Sequence, residues 1–277
     1  MKKAFSMIEL VFVIVVMGII AGAFLEPTLS VYSTYLKTKS ISELISDSES
    51  TSEFIINKLK YINRSSIIIR HSDDSYEALT DSDDIKLFEW LPYDIDGFTG
   101  NDKPYWSGLI NLQDTNKTHI EILSSDLDKA NEMIKSLGSA SFNDGVIYFI
   151  GGRSDIDGFA WDGNAITENN ESIYPIEADG NNIKPKFSDF SGLRITEMFG
   201  YSWTANGLGL EDGDLYFYTD YRPWNGETYK DGSKTLLQKD ISTFKIKKRE
   251  SLLWIEVCVK NGLLKDEYAI CRERLVF

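Results

Sequence analysis

The chain has 277 residues, 42% of them apolar, with 29 Lys and Arg against 43 Asp and Glu, giving a formal charge of −14 and a pI near 4.7. So acidic a surface excludes a broad electrostatic footprint for nucleic acid, and no nucleic-acid partner is expected. Two histidines, two cysteines and the absence of any H-E-x-x-H, G-x-S-x-G or P-loop glycine pattern argue against an enzyme.

The first element is an apolar run from Phe5 to Leu25, 21 residues broken by one charge, Glu9, and preceded by the basic head Met1-Lys2-Lys3-Ala4. At 1.5 Å per residue a helix of that length matches the roughly 30 Å of a hydrocarbon core. Lys2 and Lys3 predict a cytoplasmic start and an extracytoplasmic body. A secretory signal fits poorly, because the run is too long, Glu9 interrupts it, and Gly22-Ala23-Phe24-Leu25-Glu26 is no small-x-small cleavage site. A carboxylate within a membrane helix costs about 2.5–3.5 kcal/mol on insertion scales, so Glu9 calls for a partner.

Gly18, Gly22 and Pro27 admit two readings. Glycine lets helices approach closely and Pro27 marks a bend at the membrane exit, or weak helix formers between Gly18 and Pro27 permit local melting. The stem follows over 26–63. Leu36, Ile41, Leu44, Ile45, Ile55, Ile56, Leu59 and Ile62 recur there at helical spacing, predicting an amphipathic helix from Thr28 to about Asn63 laid on a sheet.

Residues 64–277 read as one α+β body. Ile67-Ile68-Ile69, Ile120-Glu121-Ile122-Leu123, Val146-Ile147-Tyr148-Phe149-Ile150 and Leu215-Tyr216-Phe217-Tyr218 are strand candidates. Ser125 is expected to cap a helix from Asp126 to Leu137 that Gly138 ends. An acidic pentapeptide occurs twice, as Asp94-Ile95-Asp96-Gly97-Phe98 and Asp155-Ile156-Asp157-Gly158-Phe159. Oxygen-rich loops of this kind can hold Ca²⁺ through Asp94, Asp96, Asp155 and Asp157, or they are plain turns, since neither matches an EF-hand spacing. No other cofactor is expected.

The chain closes on three strands, Ile241 to Lys248, Leu252 to Val259 and Tyr268 to Val276. Lys245, Lys247, Lys248 and Arg249 form the wet face of the first. A connection centred near Leu264-Lys265 sets Cys258 opposite Cys271. In an extracytoplasmic body that placement favours a disulfide worth roughly 3 kcal/mol in the chain-entropy account, with two buried thiols as the alternative.

The segment Lys2-Lys3-Ala4-Phe5-Ser6-Met7-Ile8-Glu9-Leu10, with Gly18 and Pro27 behind it, resembles the signal and N-terminal helix of type IV prepilins and of the pseudopilins of type II secretion. The resemblance covers about the first 60 residues. It implies a leader of residues 1–4, prepilin peptidase cleavage between Ala4 and Phe5, and N-methylation of Phe5; the family usually has Gly where this chain has Ala4. It places Glu9 fifth in the mature chain, where its carboxylate pairs with the new amine of a neighbouring subunit and so drives assembly. It implies a pilin-like body, a single-pass bacterial inner-membrane protein with a periplasmic C-terminal part, and other pilin or pseudopilin subunits as partners. A body this large suits a minor subunit. The large tip pseudopilin typically lacks the glutamate matched by Glu9, so a second-rank minor pseudopilin is the closer analogy. The rival reading is a membrane-tethered module that binds calcium, glycan or protein and does not assemble.

Overall fold

A computed structural model describes residues 6–80, 85–123, 125–168, 170–187, 189–190, 194–249, 252–261 and 268–277. Helix α1 runs from Met7 to Leu59, 53 residues, about 80 Å at 1.5 Å per residue. It passes through Pro27 without interruption, although proline there deprives the Ala23 carbonyl of its donor, a defect worth about 3 kcal/mol in a helix interior. The Thr28 hydroxyl donates to the Phe24 carbonyl at 2.6 Å, adding a bond beside the defect.

The stem meets the body later than the apolar spacing predicts. Leu36, Ile41 and Ile45 stay 42, 38 and 43% exposed, and the buried face of α1 comprises Leu44, Ser48, Thr51, Ser52, Ile55 and Leu59. Half of that face is small and hydroxylated, which brings the helix axis close to the sheets. The two serine hydroxyls are satisfied within the helix, Ser48 Oγ donating to the Ile45 carbonyl at 3.0 Å and Ser52 Oγ to the Ser48 carbonyl at 2.7 Å, while Thr51 Oγ1 donates to Gln238 Oε1 at 3.3 Å. The expected helix to Asn63 stops at Leu59.

The body is antiparallel throughout its described pairings. A six-stranded sheet contains β1 (Ile68–Arg70), β2 (Tyr76–Ala78), β3 (Leu87–Trp90), β9 (Ala205–Glu211), β10 (Asp214–Tyr221) and β11 (Ser233–Gln238), in the order β11-β10-β9-β3-β1-β2. A five-stranded sheet orders β4 (Ile120–Glu121), β5 (Val146–Phe149), β6 (Tyr174–Asp179), β7 (Asn182–Pro185) and β8 (Phe199–Ser202) as β4-β7-β6-β5-β8. The last three strands, β12 (Ile241–Arg249), β13 (Leu252–Lys260) and β14 (Ala269–Leu275), form a meander in which Cys258 faces Cys271 in register. The disulfide is formed, with Cα atoms 3.9 Å apart. The class is α+β, a long N-terminal helix on antiparallel sheets. The connection placed near Leu264-Lys265 lies outside the described residues.

Alternation along β1 and β3 makes the six-stranded sheet a central layer. Ile69, Phe88 and Trp90 face the core shared with α1 and the β12–β13 hairpin, whereas Ile68 and Leu87 face a second core with Phe159, Trp161 and Trp224. A third core joins the five-stranded sheet to the helix α3 (Leu127–Leu137). That helix is capped by Asp126, not Ser125: Asp126 Oδ1 accepts from the Lys129 N–H at 3.4 Å, while Ser125 Oγ donates to the Asn181 carbonyl at 2.6 Å. Gly138 ends it, its N–H bonding the Ile134 carbonyl.

Shared packing along α1 gives a contrast between two isoleucines. Ile55→Ala is expected to lower stability by about 2–5 kcal/mol, whereas Ile41→Ala should stay within about 0.5 kcal/mol of the parent. Urea unfolding of the detergent-solubilised full chain, followed by tryptophan fluorescence, measures both.

Candidate functional site

From Met7 to Leu36 nothing in the described chain covers α1. Its apolar side chains lie open on every side, and no residue of its most apolar stretch is buried. The helix is long and apolar enough to cross a membrane once. Gly18 and Gly22 have nothing within 4 Å of the position a Cβ would take, so neither glycine is required by the chain's own packing. Ala4 and Phe5, the expected cleavage pair, lie outside the described residues.

Glu9 finds a local partner. Ser6 is the N-cap of α1, and its Oγ accepts from the Glu9 N–H at 3.4 Å while Glu9 Oε2 accepts from the Ser6 N–H at the same distance. This reciprocal capping box satisfies two donors that a helix start leaves unpaired. A glutamate three residues into a helix is also well placed in the field of its N-terminus. The residue therefore has a helix-starting role that does not depend on any neighbour.

The two acidic pentapeptides each form one helical turn. Asp94 caps α2 (Ile95–Thr99), its Oδ1 accepting from the Gly97 N–H at 3.2 Å and its Oδ2 from Trp106 Nε1 at 3.0 Å. Asp155 caps a short 3-10 turn, Ile156–Phe159, accepting from the Asp157 N–H at 3.4 Å, and Asp157 in turn accepts from the Tyr76 hydroxyl at 3.1 Å. The glycines are needed for close approach: a Cβ on Gly97 would stand 2.2 Å from Asp94 Oδ2, and one on Gly158 2.3 Å from Ser172 Oγ. Phe98 and Phe159 anchor the turns in separate cores. The repeat thus has a folding logic: the acid caps, the glycine admits it and the ring fastens the turn. Among the described residues, the one cluster of three side chains with metal-ligand spacing is Glu256, Cys258 and Cys271, and the disulfide occupies both sulfurs.

Asp94 and Asp96 also line a cleft of about 210 Å³ between the end of the stem, at Lys58 and Tyr61, and the β8–β9 turn at Trp203. Asp94 is 5% exposed. Burial pushes its carboxyl up to about 6, against the hydrogen bonds from Trp106, Gly97 and Trp203.

Two ionic arrangements carry no motif. Arg70 Nε donates to Glu89 Oε2 at 2.7 Å inside the second core, where the Tyr221 hydroxyl meets the other Glu89 oxygen at 2.9 Å and Arg70 Nη2 reaches the Trp161 carbonyl at 3.0 Å. Burial pushes the Glu89 carboxyl up while Arg70 opposes it. On the stem, Glu49 is held by Arg272 Nε at 3.0 Å and Arg274 Nη2 at 2.6 Å, both from β14. A lone acid in Leu87-Phe88-Glu89-Trp90 and a base ending Ile68-Ile69-Arg70 are the sequence signals for the first pair.

Because the folded Asp94 binds its proton more tightly than the unfolded chain does, its contribution to stability is complete below about pH 3.8 and is lost as pH rises through about 6. Asp94→Asn stays neutral throughout. The stability of the variant relative to the parent should therefore climb by up to about 3 kcal/mol between pH 4 and pH 7, read from urea unfolding at a series of pH values. Comparison of the chain with protein-family models, with curated proteins and with solved structures finds no match.

Proposed function

We propose that the chain is a non-catalytic minor subunit of a type IV pilus-like or type II secretion filament, matured by cleavage before Phe5 and methylation of the new amine. The observation that carries this reading is the uncovered apolar half of α1 with Glu9 at its head, continuous with a stem bound to an antiparallel body. An apolar helix surface of this extent requires lipid or protein around it, and the two environments are those a filament subunit passes between. Cleavage before Phe5 leaves Ser6 and Glu9 in place, so the capping box survives maturation and sits beside the new cationic terminus. A carboxylate is stabilised by such a charge at close range. A buried pair broken on one side loses about 3–5 kcal/mol, enough to select one register of association.

The second reading, a membrane-anchored module that binds calcium, glycan or protein, is favoured by one observation, the cleft at the stem–body junction where Asp94, Asp96, Tyr61 and Trp203 come together. On that reading Glu9 serves only as the N-terminal cap of α1.

Intact mass of the protein extracted from its native membrane tests maturation: loss of residues 1–4 with gain of one methyl group is expected, and an unprocessed N-terminus would reject it. Substitution of Glu9 separates its two roles. Glutamine retains the capping geometry without the charge, so Glu9→Gln should lose copurification with sister subunits as completely as Glu9→Ala does. Normal association of the glutamine variant alone would assign Glu9 to capping.

A further inference from the structure

The part of α1 that leaves the apolar run is itself two-faced. At about 100° per residue, Leu25, Leu29, Val31, Tyr32, Tyr35 and Leu36 occupy one arc, and Glu26, Ser30, Ser33, Thr34 and Lys37 occupy the opposite one. Carried further along the helix, the second arc is the one that presents Leu44, Ser48, Ile55 and Leu59 to the sheets. The apolar arc therefore looks away from the body. It is open along its length, with Leu29 62%, Tyr32 59% and Tyr35 60% exposed, and it ends beyond Leu36, where Lys39 and Glu43 follow on the same side.

We infer that this arc is a lipid-contact surface, seated in the headgroup–acyl boundary of the bilayer that the preceding helix crosses. Three features favour lipid over a protein partner. The arc is continuous with the membrane-crossing run, so it starts at the bilayer surface. Its two tyrosines pair an apolar ring with a polar tip, the side-chain type that collects at that boundary. Its polar arc carries the charges, as in helices that lie along an interface. An upright helix would raise Leu36 about 16 Å above Leu25, beyond a headgroup layer of about 5–8 Å per leaflet. Tilt alone cannot seat the whole arc, because the roughly 60° it would take leaves the 21-residue run spanning about half of the roughly 30 Å core. Helix α1 must therefore both tilt toward the arc and bend the same way at Pro27, where the helix lacks a hydrogen bond. That tilt lifts the body, fixed to the opposite side, away from the lipid.

The inference rests on the reading of α1 as a bilayer anchor, and one experiment tests the two separately. Single cysteines introduced by Leu29→Cys, Tyr32→Cys and Leu36→Cys, and by Ser30→Cys, Ser33→Cys and Lys37→Cys, would carry nitroxide labels on the full chain in phosphatidylcholine–phosphatidylglycerol vesicles, with the native disulfide left oxidised. The ratio of oxygen to nickel-chelate accessibility should be several-fold higher at the first three positions than at the second three. Equal ratios on both arcs would overturn the inference. So would spin–spin broadening at Leu29, Tyr32 and Leu36 that vanishes on dilution with unlabelled protein, since a second copy would then be the occupant. A label at Val15→Cys reports the anchor itself: oxygen-accessible and nickel-shielded supports it, and free access to nickel would remove the anchor and this inference together.

Discussion

A helix about 80 Å long can be covered by this body only along its last four turns or so, and the architecture follows from that mismatch. From Leu44 onward α1 is a core element, with Ile55 and Leu59 fully buried between the six-stranded sheet and the terminal hairpin. Before Leu44 the described residues provide no apolar surface for it to meet. The hydrophobic effect acts on the exposed part as strongly as on the buried part, so the environment of that half must be supplied from outside the described chain. The body sets the position of the helix, and the helix sets where the body stands relative to any membrane or filament.

The contact between the two is specified by more than apolar burial. Ser48, Thr51 and Ser52 allow close approach, and their hydroxyl groups find acceptors on the helix and on Gln238. Glu49 then fixes rotation, because only one helical face can present it to Arg272 and Arg274 together. On the far side of the central sheet, the Arg70–Glu89 pair is desolvated, yet each of its side-chain nitrogens and oxygens has a hydrogen-bond partner. Such a pair adds little net stability over an apolar substitute but is costly to break, which makes it a device for holding one arrangement of strands.

The sequence was most legible where local pattern and chemistry agreed. The final hairpin is the clearest instance: alternation along Leu252 to Val259 and one cysteine on each strand are sufficient to set the register, and Cys258 pairs with Cys271. The stem was legible as a helix but not in its contacts. Leu36, Ile41 and Ile45 have the spacing of a buried stripe, while much of the packing surface is serine and threonine, which composition reads as solvent-facing. Adjacent cap candidates are equally ambiguous in a sequence, and the distant Asn181 carbonyl, by engaging Ser125, leaves the cap to Asp126. The acidic pentapeptides show the same limit. Asp94 reads as an exposed ligand until Trp106, 12 positions away, is brought onto its carboxylate.

The clamp of β14 on Glu49 has a mechanical consequence. A pull along the axis of α1 loads that interface in shear, so the resisting groups, the packed side chains and the two guanidinium–carboxylate contacts, share the force instead of failing one after another. The outermost strand would still be the first to peel off, were it held to its neighbour by hydrogen bonds alone. The covalent Cys258–Cys271 link closes that route, tying the strand that grips the helix to the middle of its sheet and passing tension from the helix into the whole body.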